Sequence, residues 1–259
     1  KFTTTVNNIS YSFVNNSELS ITPLDGVYKF SNVKLNEGTL LNFKYTANSS
    51  DTDQRFIIPN NNVDTTTLTV KVQESSTDTT TNTYTLATGI TGLDSTSKVY
   101  FLQEVENGRY EVYFGDGVLG KAIADGNIII FDYINTNRAE ANGALTFTLS
   151  GTIGGFSSAT ITTISGADGG SDPEEISSIK YNAPRDYTSQ DRAVTADDYK
   201  VLVKSLYANA QSVQVYGGED AATPEYGKVF ISIKAKSGAN LTVATKNSIV
   251  QSLKQYGVA

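Results

Sequence analysis

The 259-residue chain contains no histidine, cysteine, methionine or tryptophan. Without histidine the usual proton shuttle near neutral pH is missing. Without cysteine there is no thiolate nucleophile and no thiolate zinc site. Carboxylates, hydroxyls and lysines are all that remains for chemistry. Positive charge is also scarce: 20 Lys and Arg stand against 27 Asp and Glu, a formal net charge of −7. No stretch concentrates Lys or Arg as a phosphate-tracking surface would, so nucleic acid is not an expected partner. Long apolar runs are absent too. The longest candidate, Ile128 to Phe131, falls far short of the roughly 20 residues needed to cross a bilayer, and no membrane insertion is expected. No signal peptide precedes the first polar segment, and the chain opens on Lys1 rather than Met, which reads as a fragment or a processed product. The lack of cysteine fits a reducing cytosol and equally fits secreted proteins without disulfides, so it leaves the compartment open.

What is present is the composition of a folded protein. Hydrophobic residues make up 39% of the chain, enough for one large domain or two to three smaller ones. From Lys1 to about Val72, aromatic and β-branched residues alternate with Thr, Asn and Ser, as in Tyr11-Ser12-Phe13 and Asn42-Phe43-Lys44-Tyr45. That period of two predicts half-buried antiparallel strands. Turns fall at Leu24-Asp25-Gly26-Val27, Asn36-Glu37-Gly38 and Pro59-Asn60-Asn61-Asn62. The strand Thr67–Val72 leads into Glu74–Asn82, a polar tract without an apolar residue that reads as an exposed loop. Further strands are expected near Lys98–Val105, Arg109–Phe114, Asn127–Tyr133 and Ala144–Ser150, with Gly-containing turns between them. Many short strands at this spacing predict an antiparallel sandwich or barrel.

Near Gly166 the texture changes. Gly166-Ala167-Asp168-Gly169-Gly170 reads as a hinge, and helix signals follow. Asp172 with Pro173 and Glu175 forms a candidate cap for a short helix ending before Pro184. Thr195 with Asp198 forms a second capping box, and Tyr199, Leu202, Val203, Leu206 and Tyr207 then recur at helical spacing, predicting one buried face. A strand at Ser212–Tyr216, a polar loop Gly217–Gly227 and a strand at Lys228–Lys234 lead to a last helix carrying Ile249, Val250, Leu253 and Tyr256, stopped at Gly257. The expected fold is therefore mainly β with an α+β C-terminal part: antiparallel sandwich or barrel-like modules followed by a small α/β domain. The expected divisions are a β-rich domain over residues 1–75, a β-rich core over 76–165, a hinge and short helix over 166–194, and an α/β domain over 195–259 that reads as truncated.

Candidate sites have ordinary competing explanations. Tyr113-Phe114-Gly115-Asp116-Gly117-Val118-Leu119-Gly120-Lys121 is glycine-rich, but a phosphate cradle must open a helix, whereas this segment lies between strands. A tight hairpin with glycines at positive φ is the expectation. Asp116 with Asp125, or Asp51 with Asp53, could offer oxygens to calcium, but neither set matches an EF-hand and both fit turn positions better. A glycosidase would need a carboxylate pair. The doublets Glu174-Glu175 and Asp197-Asp198 sit in first helical turns, where capping explains them more cheaply. Arg185 and Arg192, flanking an irregular link around Pro184, Tyr187 and Gln190, could hold backbone carbonyls or a partner's carboxylates, with bracing the preferred reading.

Phe114-Gly115-Asp116-Gly117-Val118-Leu119-Gly120, followed by Gly126-Asn127, Tyr133, Thr136 and Asn142-Gly143, resembles the core of the baseplate J family of contractile phage tails. Gly169-Gly170-Ser171-Asp172-Pro173-Glu174-Glu175-Ile176, then Ala183-Pro184-Arg185 and Arg192-Ala193-Val194-Thr195-Ala196-Asp197-Asp198-Tyr199, is similar to the way those proteins pass from their β part into their α/β part. Phe56-Ile57-Ile58-Pro59-Asn60 also fits, so the resemblance runs from about residue 36 onward. The Asn and Thr richness looks closest to the baseplate wedge proteins of large myophages, which are longer and carry an N-terminal helical part. The resemblance implies a structural virion component of the tail baseplate, assembled in the host cytoplasm, which joins wedges into a ring around the hub and rearranges during sheath contraction. It implies partners in other copies of itself, as a homodimer or ring, and in other wedge proteins, with no cofactor, metal, catalytic residue or small-molecule substrate.

Within that reading, Phe114, Gly115, Asp116, Gly117, Gly120, Gly126, Asn142, Gly143, Pro184, Arg185, Arg192, Thr195, Asp198 and Tyr199 are expected to be structural motif positions. Tyr199, Leu206, Tyr207 and Tyr226 are expected to form a self-interface. The competing readings are a carbohydrate-binding adhesin or tail-fibre domain, with aromatics stacking on sugars, and a glycosidase.

Overall fold

A computed structural model describes residues 1–48, 50–51, 54–190, 192–237 and 240–257. In chain order the elements are β1 (Phe2–Val6), β2 (Ile9–Val14), β3 (Asn36–Glu37), β4 (Thr39–Thr46), β5 (Phe56–Ile57), β6 (Val63–Gln73), β7 (Thr81–Leu86), β8 (Val99–Val105), β9 (Arg109–Phe114), β10 (Ile128–Asn135) and β11 (Thr148–Leu149), then α1 (Ile176–Ser189), α2 (Ala196–Leu206), β12 (Ala210–Gly217), β13 (Val229–Ala235) and α3 (Val243–Leu253). They form two compact units, one of Lys1 with residues 12–136, the other of residues 2–11 with 137–259.

The first unit is built on a seven-stranded sheet in the order β4-β10-β6-β7-β8-β9-β5. Its neighbours are antiparallel except β7 and β8, which run parallel through Thr85↔Val99 and Leu86↔Tyr100. The sheet curls until its two edges meet. Tyr45 on the β4 edge donates its phenol to the Ile57 carbonyl on the β5 edge at 2.6 Å, and its ring lies 5.6 Å from that of Phe56. The result is a nearly closed barrel, which removes most of the open edge that an isolated sheet would expose. Alternation along β6 and β10 points Val70, Val72, Ile129, Phe131 and Tyr133 into one core with Ile58 and Val112. Burying each such side chain is worth about 1.5–3 kcal/mol. A register shift between Asp132 and Ile134 interrupts the β10–β6 ladder. The buried Thr67 hydroxyl accepts the Ile134 amide there at 3.0 Å, so the bulge leaves no orphan donor.

The boundary expected near residue 75 falls inside this sheet, because β6 pairs with β7 across the Glu74–Thr80 loop. Strand pairing overrides the composition break. The Phe114–Lys121 segment is not a hairpin either: β9 and β10 occupy separate places in the sheet, and the glycine-rich stretch begins a crossover. Asp116 sets its shape by accepting the Val118 and Leu119 amides, each at 2.9 Å. Those amides hold its carboxyl below the usual range. Gly117 and Gly120 take positive φ as expected, but Gly115 does not. Its constraint is space, since a Cβ there would lie 2.4 Å from the Gly120 and Leu119 backbone.

In the second unit β1 pairs with β11, and the antiparallel β12–β13 hairpin packs under α2 and α3. Only Thr148–Leu149 of the expected Ala144–Ser150 strand is regular, because the Gly143–Leu145 stretch turns away to meet the Gly166–Gly170 segment. The expected short helix ending before Pro184 is longer. α1 starts after Glu175, which makes no side-chain cap, and runs through Pro184 to Ser189. Proline removes one backbone donor there, and Arg185 Nη1 donates to the Tyr181 carbonyl at 2.6 Å in the weakened turn. The link drawn around Tyr187 and Gln190 is therefore helix, closed by Gln190 in the left-handed conformation. The Thr195–Asp198 capping box stands as read. α3 ends at Leu253 with Lys254 as its C-cap, and Gly257 instead forms a parallel bridge with Ala193.

Two substitutions test this architecture. Phe131→Ala, at a fully buried position, is expected to cost about 3–5 kcal/mol in urea unfolding. Gly115→Ala is expected to cost about 1–3 kcal/mol because the new methyl meets backbone rather than a movable side chain. Wild-type stability for Gly115→Ala would contradict the packing described.

Candidate functional site

The densest constellation of polar side chains joins the Asn142-Gly143 turn, the Gly166–Gly170 segment and the α/β hairpin. Asn142 grips Gly170 by both backbone groups: Nδ2 donates to the carbonyl at 2.7 Å and Oδ1 accepts the amide at 3.1 Å. The same Nδ2 lies 2.9 Å from Ser237 Oγ. Ser237 Oγ and its backbone N–H donate to Asn209 Oδ1 at 3.1 and 3.2 Å. Asn209, only 1% exposed, donates Nδ2 to the Tyr207 oxygen at 3.1 Å and to the Ser237 carbonyl at 3.0 Å. Tyr207 donates its phenol to Asp168 Oδ1 at 2.7 Å, and Thr245 at the start of α3 donates to Asp168 Oδ2 at 3.0 Å.

Every member of this chain has a partner, which is the condition for burying polar groups without a large penalty. Burial, then the bond to Asp168, pushes the Tyr207 phenol well above its ordinary value. It is therefore a fixed donor near neutral pH and a poor acid or base. Two backbone bonds complete the docking, from Gly143 N to the Ala167 carbonyl and from Ala167 N to the Ala144 carbonyl, each 2.8 Å. A Cβ on Gly170 would lie 2.2 Å from the Arg138 carbonyl. The segment read as a hinge is thus pinned within its own unit, and its glycines serve close approach as much as flexibility.

The other expected site residues are scattered. Phe114 lies against the barrel core with its ring 5.9 Å from Phe56. Gly126 and Gly143 take the positive φ expected of turn glycines. Asp198 accepts the Thr195 amide at 2.8 Å, and backbone donors hold its carboxyl low. Arg185 braces α1 and stacks 3.7 Å over the Tyr181 ring. Arg192 is exposed, and its backbone N–H donates to the Ser189 carbonyl at 3.0 Å.

The expected self-interface does not assemble as drawn. Tyr207 is buried, and Tyr199 and Leu206 pack against the α/β core, because their helical face is the one that covers the β12–β13 hairpin. Tyr226 alone is fully presented, at 83% exposure. The acid doublets are used locally. Glu174 accepts from Ser178 and Asn182, and Asp197 pairs with Lys200. Buried Glu111 is paired with Arg55. Among the described residues no group of three or more acids is placed to hold a metal, and Asp53 lies outside them. Asp168, Asn209 and Ser237 carried no functional signal in the sequence, since an Asp in a Gly-rich link and an Asn after a helix read as turn residues.

Residues 42–146 match the family described as the third domain of the bacteriophage baseplate wedge protein gp6. Residues 195–259 match the family described as C-terminal domain I of the baseplate structural protein gp6. Both models describe domains of baseplate proteins named gp6. A relative, the baseplate wedge protein gp6 of Enterobacteria phage T4, is 33% identical over 191 residues, covering 64% of this chain. The chain spans 28% of that relative's length. The polar network lies wholly within the second compact unit, where Asn142 and Gly143 fall in the first matched stretch and Tyr207, Asn209, Ser237 and Thr245 in the second.

Tyr207→Phe is expected to lower stability by about 1–2 kcal/mol at neutral pH by leaving Asp168 and Asn209 short of a partner. Burial also raises Tyr45, Tyr84, Tyr100, Tyr110 and Tyr133. A folded-state value above the unfolded one contributes stability that is complete below about pH 10 and is lost as pH rises through the folded value. Urea unfolding of the wild type should therefore weaken above that pH, and the gap to Tyr207→Phe should narrow. A gap independent of pH would contradict the assignment.

Proposed function

We propose that the chain is a structural part of a contractile phage tail baseplate, in the wedge, and that it works by rigid contact rather than by chemistry. The observation that carries this reading is the pair of matches, over residues 42–146 and 195–259, to models that describe domains of the baseplate protein gp6. A component that transmits force between neighbours needs units that do not deform, and the buried network of the second unit specifies one arrangement of that unit more sharply than apolar contact alone. In this proposal its partners are other wedge proteins and further copies of itself, joined in a ring around the tail hub that shifts when the sheath contracts. Kinship of the Phe114–Gly120 block to the wider baseplate J family belongs to the same proposal. So does the absence of any role for a cofactor, a small-molecule substrate, nucleic acid or membrane insertion. The adhesin and glycosidase readings gain no support from the two matches, which are both to a baseplate protein.

The test is genetic. A nonsense mutation in the gene of the phage that encodes this chain should yield filled heads without complete contractile tails when lysates are imaged by electron microscopy. Complete tails that merely fail to bind cells would overturn the reading in favour of an adhesin.

A further inference from the structure

Beside β1 the second unit holds a trough of about 360 Å³, at the lower end of the roughly 300–1,000 Å³ of ligand sites. One wall is β1, over residues 3–6, and the other is residues 143–146 with Thr148. The trough opens where two stretches of chain part. β1 pairs with β11 only at Phe2↔Leu149 and Thr3↔Thr148, and ahead of β11 the chain turns aside to meet the Gly166–Gly170 segment. Both walls carry unpaired backbone. The Thr3 carbonyl accepts from Thr148 Oγ1 at 3.3 Å, so Thr3 turns its backbone groups toward β11. By the alternation of antiparallel strands Thr5 turns its own the same way, beyond the last residue that pairs with β11. Opposite, Leu145 and Thr146 make no backbone–backbone hydrogen bond among the described residues. Thr4 adds a side chain. It is 6% exposed and lines the trough, and its hydroxyl makes no hydrogen bond among the described residues.

A buried hydroxyl and facing backbone groups without partners are costly until something meets them. The lining fixes the chemistry of what fits. No lining residue is charged, so an acid, an amine or a phosphate would lose its water and find no counter-charge. None is aromatic, so a sugar or nucleobase ring has no face on which to stack. The walls offer what one strand offers another: free amides and carbonyls, set among threonines and small side chains. We infer that the trough is a strand-insertion site for an extended, uncharged segment of another protein, which pairs with Thr5 on one side and with the Leu145–Thr146 stretch on the other and brings a polar backbone group to the Thr4 hydroxyl. The inference rests on the proposed role as an assembly component and gives that role a contact made by main-chain bonds.

The probe is the blocked peptide acetyl-Thr-Val-Thr-Val-Thr-amide, uncharged and strand-forming, added to the full chain while amide exchange is followed residue by residue by NMR. Titrated to about 10 mM, tenfold above a Kd of about 1 mM, it should slow exchange at Thr5, and at Leu145 or Thr146, about tenfold. The same peptide N-methylated on alternate residues cannot complete the ladder and should give less than a tenth of that affinity. Thr4→Val keeps the shape of the side chain without its hydroxyl, and should weaken binding roughly tenfold with an unchanged circular dichroism spectrum. Unaltered exchange at these amides throughout the titration would overturn the site and leave the wedge role, which is tested on tails, standing. Equal protection by the N-methylated peptide would overturn strand pairing, and undiminished binding by Thr4→Val would overturn the part given to the hydroxyl. Protection by maltohexaose but not by the peptide would make the ligand a saccharide and overturn the inference. Protection of the unliganded chain that is lost on dilution would make the occupant a second copy, and would overturn it equally.

Discussion

Asn209 is almost entirely buried, and its amide must be satisfied wherever the chain places it. That requirement organises the second unit. Asn209 takes Ser237 on one side and Tyr207 on the other. Through them it reaches Asn142, Asp168 and Thr245, so the Asn142-Gly143 turn, the glycine segment and the last helix are held by one set of bonds. No member can move far without exposing another as an unpaired buried group. Hydrophobic contact between α2, α3 and the β12–β13 hairpin supplies most of the stabilisation, but apolar surfaces slide where directional bonds do not.

The barrel meets a related problem by other means. A seven-stranded sheet has two edges, and here they are brought together by one aromatic residue, Tyr45, whose ring packs on Phe56 while its hydroxyl takes the Ile57 carbonyl. Its crossover is fixed by Asp116 and by glycines chosen for space at Gly115 and for conformation at Gly117 and Gly120. Both units thus leave their rigid parts well closed.

Local signals were legible wherever a side chain acts on its own neighbourhood. Thr195 and Asp198 announce a capping box because the bonds are three residues apart, and Arg109–Phe114 reads as a strand because its alternation is its own. Reading failed where distant pairing decides. The boundary at residue 75 looked real because a polar tract follows Val72, yet β6 and β7 pair across it. Pro184 looked like a helix end, but the helix continues through it with the Arg185 guanidinium on the Tyr181 carbonyl. Gly166–Gly170 looked like a hinge because glycine permits many conformations. Its partners at Asn142, Arg138 and Thr245 are far away in sequence, and no local pattern marks them. The same blindness offered Tyr207 to a self-interface as well as to the buried face of its helix, since periodicity names the apolar face without saying that the hairpin covers it.

Amide hydrogen exchange of the native chain, resolved to single residues at Gly143, Ala167 and Gly170, is the most direct test of the claim that hydrogen bonds rather than glycine freedom govern the Gly166–Gly170 segment within the second unit. If the network holds, these amides exchange far more slowly than those of residues 157–164 close by in sequence. Exchange at the rates of a free peptide would mean that the segment is a hinge after all, and the account of a pinned segment would fail.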